Sequence, residues 1–114
     1  MKLLYESTNY ILESEYEIVY LRNKLNSSIV VVGDHYGDVT AGYIDNDESF
    51  CISCGDGIIM YSILEINFPY AYDTNGQWKE YYRSILFIDS MWSNGTQFRF
   101  FDENDKELVI SMEG

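Results

Sequence analysis

Three short stretches of this chain hold residue types able to do chemistry. Cys51-Ile52-Ser53-Cys54 has the two-residue spacing of a zinc half-site or a redox dithiol. Gly33-Asp34-His35-Tyr36-Gly37-Asp38 sets the only histidine between two aspartates, as in a carboxylate-oriented general base or a small metal site. Asp45-Asn46-Asp47-Glu48 places three carboxylates within four residues.

Each stretch needs partners that the rest of the sequence supplies poorly. A structural zinc ion takes four ligands, and the chain has two cysteines and one histidine. A redox dithiol is activated at a helix N-terminus, whereas Cys51 and Cys54 fall in a strand-like run, where their spacing points them to opposite faces. They are expected to be buried, unreactive thiols without a disulfide. His35 as a base would also need a nucleophile or a group that stabilises an electrophile, and no nucleophile elbow, phosphate-binding loop or HExxH motif occurs. Neighbours on a strand face apart, so Asp34 does not orient His35 without a loop, and a solvent-facing loop histidine is the expectation. The Asp45–Glu48 run lacks the spaced ligands of a calcium loop. Nineteen acids make carboxylate pairs common by chance, so a glycosidase pair carries no weight. The expectation is a protein that is not an enzyme, with no catalytic residue, no cofactor and no metal.

The elements that must position these residues read mostly as strands. From Tyr10 to Leu21, apolar Tyr10, Leu12, Tyr16, Ile18 and Tyr20 alternate with Glu13, Glu15 and Glu17, which predicts one half-buried strand, although apolar pairs at helical spacing keep a helix open. Asn26-Ser27-Ser28 marks a turn, and a β-branched run follows to Asp34. Thr40–Asp45, Ser49–Cys54 and Gly57–Leu64 then alternate with turn compositions, which predicts an antiparallel meander. Asn67–Gln77 is irregular around the only proline. Lys79–Asp89, Gly95–Phe101 and Glu107–Met112 form a second strand-rich section, with a helix start conceivable at Tyr81–Ile85. The fold class is mainly β in one domain over residues 1–114, an antiparallel sheet meander, with α+β as the variant if one stretch is helical.

A chain of 114 residues that is 46% hydrophobic and has one proline is composed to fold around a single core. Nineteen acids against seven bases give a net charge of −12, a field that repels nucleic acid and anionic membranes and draws basic partners. Between Lys24 and Lys79 there is no Lys or Arg at all but eight acids: Asp34, Asp38, Asp45, Asp47, Glu48, Asp56, Glu65 and Asp73. This one-signed block predicts a binding face for something basic. No signal-peptide core follows Lys2 and no apolar run reaches the roughly 20 residues of a membrane span, so a cytoplasmic location is expected and the sequons at Asn26 and Asn94 read as turn chemistry.

The segment Ile29–Ile63 resembles part of the small bacterial immunity proteins of polymorphic-toxin and contact-dependent growth inhibition systems. The likeness rests on Gly33-Asp34-His35-Tyr36-Gly37-Asp38, the acidic turn Asp45–Glu48 and Gly55-Asp56-Gly57-Ile58-Ile59-Met60-Tyr61. Phe87–Ile110 looks like the closing strands of such proteins, so about half the chain is covered. The resemblance implies a protein that binds one cognate toxin C-terminal domain, a basic nuclease in the reading taken here, and neutralises it without enzymatic action. Loop position and charge then nominate Tyr36, Tyr70, Tyr72 and Trp78 as aromatic anchors, and Asp34, Asp38, Asp45, Asp47, Glu48 and Asp73 as acids facing toxin Lys or Arg. The alternative from another class is an acidic DNA mimic that inhibits a host nucleic-acid-binding enzyme.

Overall fold

The computed structural model describes residues 1–63 and 78–109, which form eleven strands and, among the described residues, no helix. The strands are β1 (Lys2–Glu6), β2 (Tyr10–Glu15), β3 (Ile18–Asn23), β4 (Ile29–Asp34), β5 (Ala41–Ile44), β6 (Phe50–Gly55), β7 (Gly57–Ser62), β8 (Trp78–Tyr81), β9 (Ile88–Ser93), β10 (Phe98–Asp102) and β11 (Glu107–Val109). They make three antiparallel meanders, ordered β1-β2-β3-β4, β5-β6-β7-β8 and β11-β10-β9. The mainly-β expectation holds, and the helix conceivable at Tyr81–Ile85 is instead the end of β8 and a turn in which Ile85 and Leu86 both donate to the Tyr82 carbonyl.

The second meander lies between two cores. Cys51, Ile59 and Tyr61 face Leu12, Val19, Leu21, Val30 and Val32 of the first sheet. Ile52, Cys54, Ile58 and Met60 face Ile88, Phe98 and Phe100 of the third. A strand covered on both faces carries no polar alternation, which is why β6 and β7 read as nearly continuous apolar runs. Edge-on aromatic contacts run through the stack: Tyr5 to Tyr43 at 5.1 Å, Tyr43 to Phe98 at 5.7 Å and Phe50 to Phe98 at 5.9 Å.

Two readings of the sequence are corrected. Tyr10–Leu21 is neither one strand nor a helix but a hairpin, with Glu15 opposite Ile18 and only Tyr16 and Glu17 between them. Tyr16 takes a φ of 56°, a conformation usually left to Gly or Asn, and the burial phase reverses across the turn from Leu12 and Ser14 to Val19 and Leu21. The short run Lys2–Glu6, unassigned from sequence, forms β1 on β2. The sequon asparagines do act as turn formers: Asn26 Oδ1 accepts from Ser28 N, and Asn94 Oδ1 accepts from the backbone N–H groups of Thr96 and Gln97.

Candidate functional site

His35 is the most consequential departure from the sequence reading: it is 1% exposed, not solvent-facing. Its Nε2 lies 2.9 Å from Ser53 Oγ and its Nδ1 3.2 Å from the Asp56 carbonyl oxygen. A carbonyl only accepts, so Nδ1 carries the proton and Ser53 donates to Nε2, which fixes the neutral tautomer. Two glycines make the room. A Cβ at Gly33 would stand 2.7 Å from Ser53 Oγ, and one at Gly55 would stand 2.6 Å from the Asp38 carbonyl oxygen and 3.4 Å from His35 Nδ1. Burial pushes the imidazole pKa below its ordinary value, with Arg83 acting the same way against the opposing pull of Asp56 and Asp34. The hydroxyl–imidazole contact has the length of a nucleophile–base pair, but Ser53 is 2% exposed, so a solute has no approach to it. What this pair does is fasten the β4–β5 loop to β6 and the β6–β7 turn.

The thiols are sealed as well. Cys51 belongs to one core and Cys54 to the other, both are free, and burial raises both pKa values far above the ordinary thiol range. A protonated, buried thiol is neither a nucleophile nor a metal ligand at neutral pH. Among the described residues no group of three or more His, Cys, Asp or Glu side chains is placed to hold a metal ion.

The nominated partner-binding residues separate into two groups at opposite ends of β5, a strand of about 13 Å at ~3.3 Å per residue. Asp34, Tyr36 and Asp38 lie at the His35 end, together with the β2–β3 turn, Asp56 and the β8–β9 turn. The His35 N–H donates to the Glu17 carbonyl at 2.8 Å, and the Gly37 N–H, at a φ of 85°, donates to the Glu17 carboxylate. Arg83 donates to the Asp34 carbonyl and to Glu80, each at 2.6 Å, while its guanidinium lies 5.5 Å from the centre of the Tyr36 ring. A groove of about 710 Å³ opens beside this loop, between Met1, Lys2, Glu15, Tyr16, Asp38, Thr40 and Asp89. Tyr36, Asp56 and Ser84–Phe87 line a second hollow of about 380 Å³.

Asp45, Asp47 and Glu48 lie at the far end, where their oxygens are engaged within the protein. Glu48, at a φ of 60°, accepts from Ser7 Oγ, from Asn9 N at 2.9 Å and from Asn9 Nδ2 at 2.7 Å, tying the β5–β6 turn to the β1–β2 turn. Burial raises its pKa, but these donors and the nearby Lys24 more than offset that and hold it below the ordinary value. Asp45 accepts from Ser49 Oγ at 3.0 Å and Asp47 from Ser49 N at 3.1 Å. Asp45 is shifted up, by burial and then by contact with Asp47, and Asp47 is shifted down by the same contact and by Ser49.

Trp78 opens β8 opposite Tyr61. Tyr70, Tyr72 and Asp73 lie outside the described residues. Sequence reasoning left out Glu15, Tyr16, Ile85 and Asp89, which the fold carries to the His35 end. The signal for Tyr16 was a two-residue link hidden inside what looked like continuous alternation. No protein-family model, curated protein or solved structure matches this chain.

Proposed function

We propose that this protein is a binding protein of the immunity type, which recognises a basic toxin domain, a nuclease in the most economical reading, and neutralises it by occupying a surface the toxin needs. One observation carries the reading: the bases of this chain are largely spent on its own groups, and acids are left over. Among the described residues five of the seven Lys and Arg side chains are engaged, four of them with carboxylates. Arg22 pairs with Glu13 at 3.0 Å, Lys24 with Glu6 at 2.5 Å, Arg83 with Glu80 at 2.6 Å and Arg99 with Glu107 at 3.5 Å, while Lys2 donates to the Val39 carbonyl at 3.0 Å. The carboxylates of Glu15, Asp38 and Asp89 have no bonded partner among the described residues. Unpaired negative charge on a rigid β-scaffold speeds encounter with a basic surface and discourages acidic ones.

The test is co-expression of the chain with the toxin domain encoded immediately upstream of it. Restored growth together with a stable copurifying complex is the expected result, and association should slow steeply as salt is raised. Growth without a complex, or an association rate indifferent to ionic strength, would count against direct, charge-steered neutralisation.

A further inference from the structure

The exposed apolar side chains of a β-protein are usually scattered, and a cluster of them marks a contact surface. Here three of the most exposed, Tyr16 at 88%, Ile85 at 74% and Tyr36 at 69%, belong to three different turns at the same end of the molecule. Tyr36 and Ile85 share one hollow. Tyr16 shares the larger groove with Asp38, two residues from Tyr36. The β2–β3 turn is joined to the loop that carries Tyr36 and Asp38, since Glu17 accepts from the N–H groups of His35 and Gly37. Covering these three side chains would bury roughly 400 Å² on this side, about half of one partner's share of a standard interface.

The charges say what covers it. Glu15, Asp38 and Asp89 all line the groove beside Tyr16. Lys2, which lines the groove and donates to the Val39 carbonyl, offsets one of these charges, and Arg83 is paired with Glu80, so carboxylates remain in excess. They do not converge on a point, for no described group is placed to hold a metal ion. Negative charge spread along a groove and flanked by exposed aromatic and aliphatic side chains matches an extended ligand with alternating cationic and apolar groups, and not a single cation.

We propose that the His35 end, through Tyr16, Tyr36 and Ile85 with Glu15, Asp38 and Asp89, is the docking surface for a basic, amphipathic segment of a partner protein, with Arg or Lys side chains in the groove and apolar ones over the rings. The inference rests on the binding reading above and deepens it, since it selects one of the two acidic ends. The loop is already held by Glu17 and by the buried His35, so little ordering cost attends docking.

The experiment is a titration of the isotope-labelled full chain with a hexapeptide alternating Arg and Trp, with hexa-arginine and hexa-glutamate for comparison, read by backbone amide shifts. Perturbations should centre on Glu15–Glu17, Tyr36–Asp38, Ile85 and Asp89 and saturate together, with the alternating peptide about tenfold tighter than hexa-arginine and hexa-glutamate silent. The paired changes Asp38→Lys and Asp89→Lys should weaken the alternating peptide about tenfold, and Asp47→Lys less than about twofold. Shifts centred on the Glu48 end or spread over the surface, or equal losses for Asp47→Lys and the pair, would overturn the proposal. So would equal affinity for the two cationic peptides. A peptide footprint at the His35 end with no toxin complex would leave this surface standing and remove the toxin reading. A toxin complex whose footprint lies elsewhere would do the reverse.

Discussion

At the Glu48 end a carboxylate takes hydrogen bonds from Ser7 and Asn9 and holds two turns together. At the His35 end the fastening is done by an imidazole with almost no exposure, bonded to Ser53 and to the Asp56 carbonyl, and by Glu17. Glu15, Asp38 and Asp89 are therefore left to face solvent there. Local acid density is thus a poor guide to which carboxylates are available. Asp45–Glu48 is the densest acidic run in the central block, yet its oxygens are largely occupied. The more dispersed acids become available because a buried neutral group has taken over the structural task.

The comparison can be broken most forcefully at His35. Replacing it with Ala leaves a cavity and strips Ser53 Oγ and the Asp56 carbonyl of partners, and should cost about 3 kcal/mol in urea denaturation. A loss below about 1 kcal/mol would mean that the imidazole does not anchor this end. Glu48→Ala comes next. It removes three accepted hydrogen bonds at a partly exposed site and should cost about 1–2 kcal/mol, with no effect on cationic-peptide binding.

The two anchors also separate by pH. The folded pKa of His35 is lowered, so the unfolded chain binds the extra proton first as pH falls. Its contribution is complete above the ordinary histidine value of about 6.5 and is lost as pH drops from there toward the folded value. Glu48 is held below its ordinary value of about 4.3, so its contribution is present above that pH and is lost further into acid. Stability measured against pH should show both declines, with His35→Ala removing the first and Glu48→Gln reducing the second, to which Asp47 also contributes. The smallest expected effect is on the exposed acids: Asp38→Lys should change stability by less than about 0.5 kcal/mol while changing peptide affinity.

Much of the scaffold was legible in the sequence. The Gly and Asp turns around Ser49–Cys54 and Gly57–Leu64 announced β6 and β7, and the odd spacing of Cys51 and Cys54 put them on opposite faces as expected. The hairpin at Tyr16 was not legible, because the turn contains no Gly, Asn or Asp and relies on a tyrosine at positive φ. The burial of His35 was not legible either. It depends on missing side chains at Gly33, which precedes Asp34 at the end of β4 and leaves space for Ser53 Oγ, and at Gly55 of β6, which leaves space for the loop and its ring, and no local pattern reports such room. Of the site itself, Asp34, Tyr36 and Asp38 were nominated from the loop alone. Glu15, Tyr16, Ile85 and Asp89 join them only through pairing between strands far apart in the chain.

The two acidic ends differ in what their carboxylates are available to do. Carbodiimide coupling of a small amine to exposed carboxylates, read residue by residue by mass spectrometry with and without the alternating Arg and Trp hexapeptide, tests it most directly. Glu15, Asp38 and Asp89 should label rapidly and be protected by the peptide, whereas Glu48 should label slowly with or without it. Glu48 labelled as fast as Asp38, or peptide protection falling on Asp45–Glu48 instead, would contradict that difference.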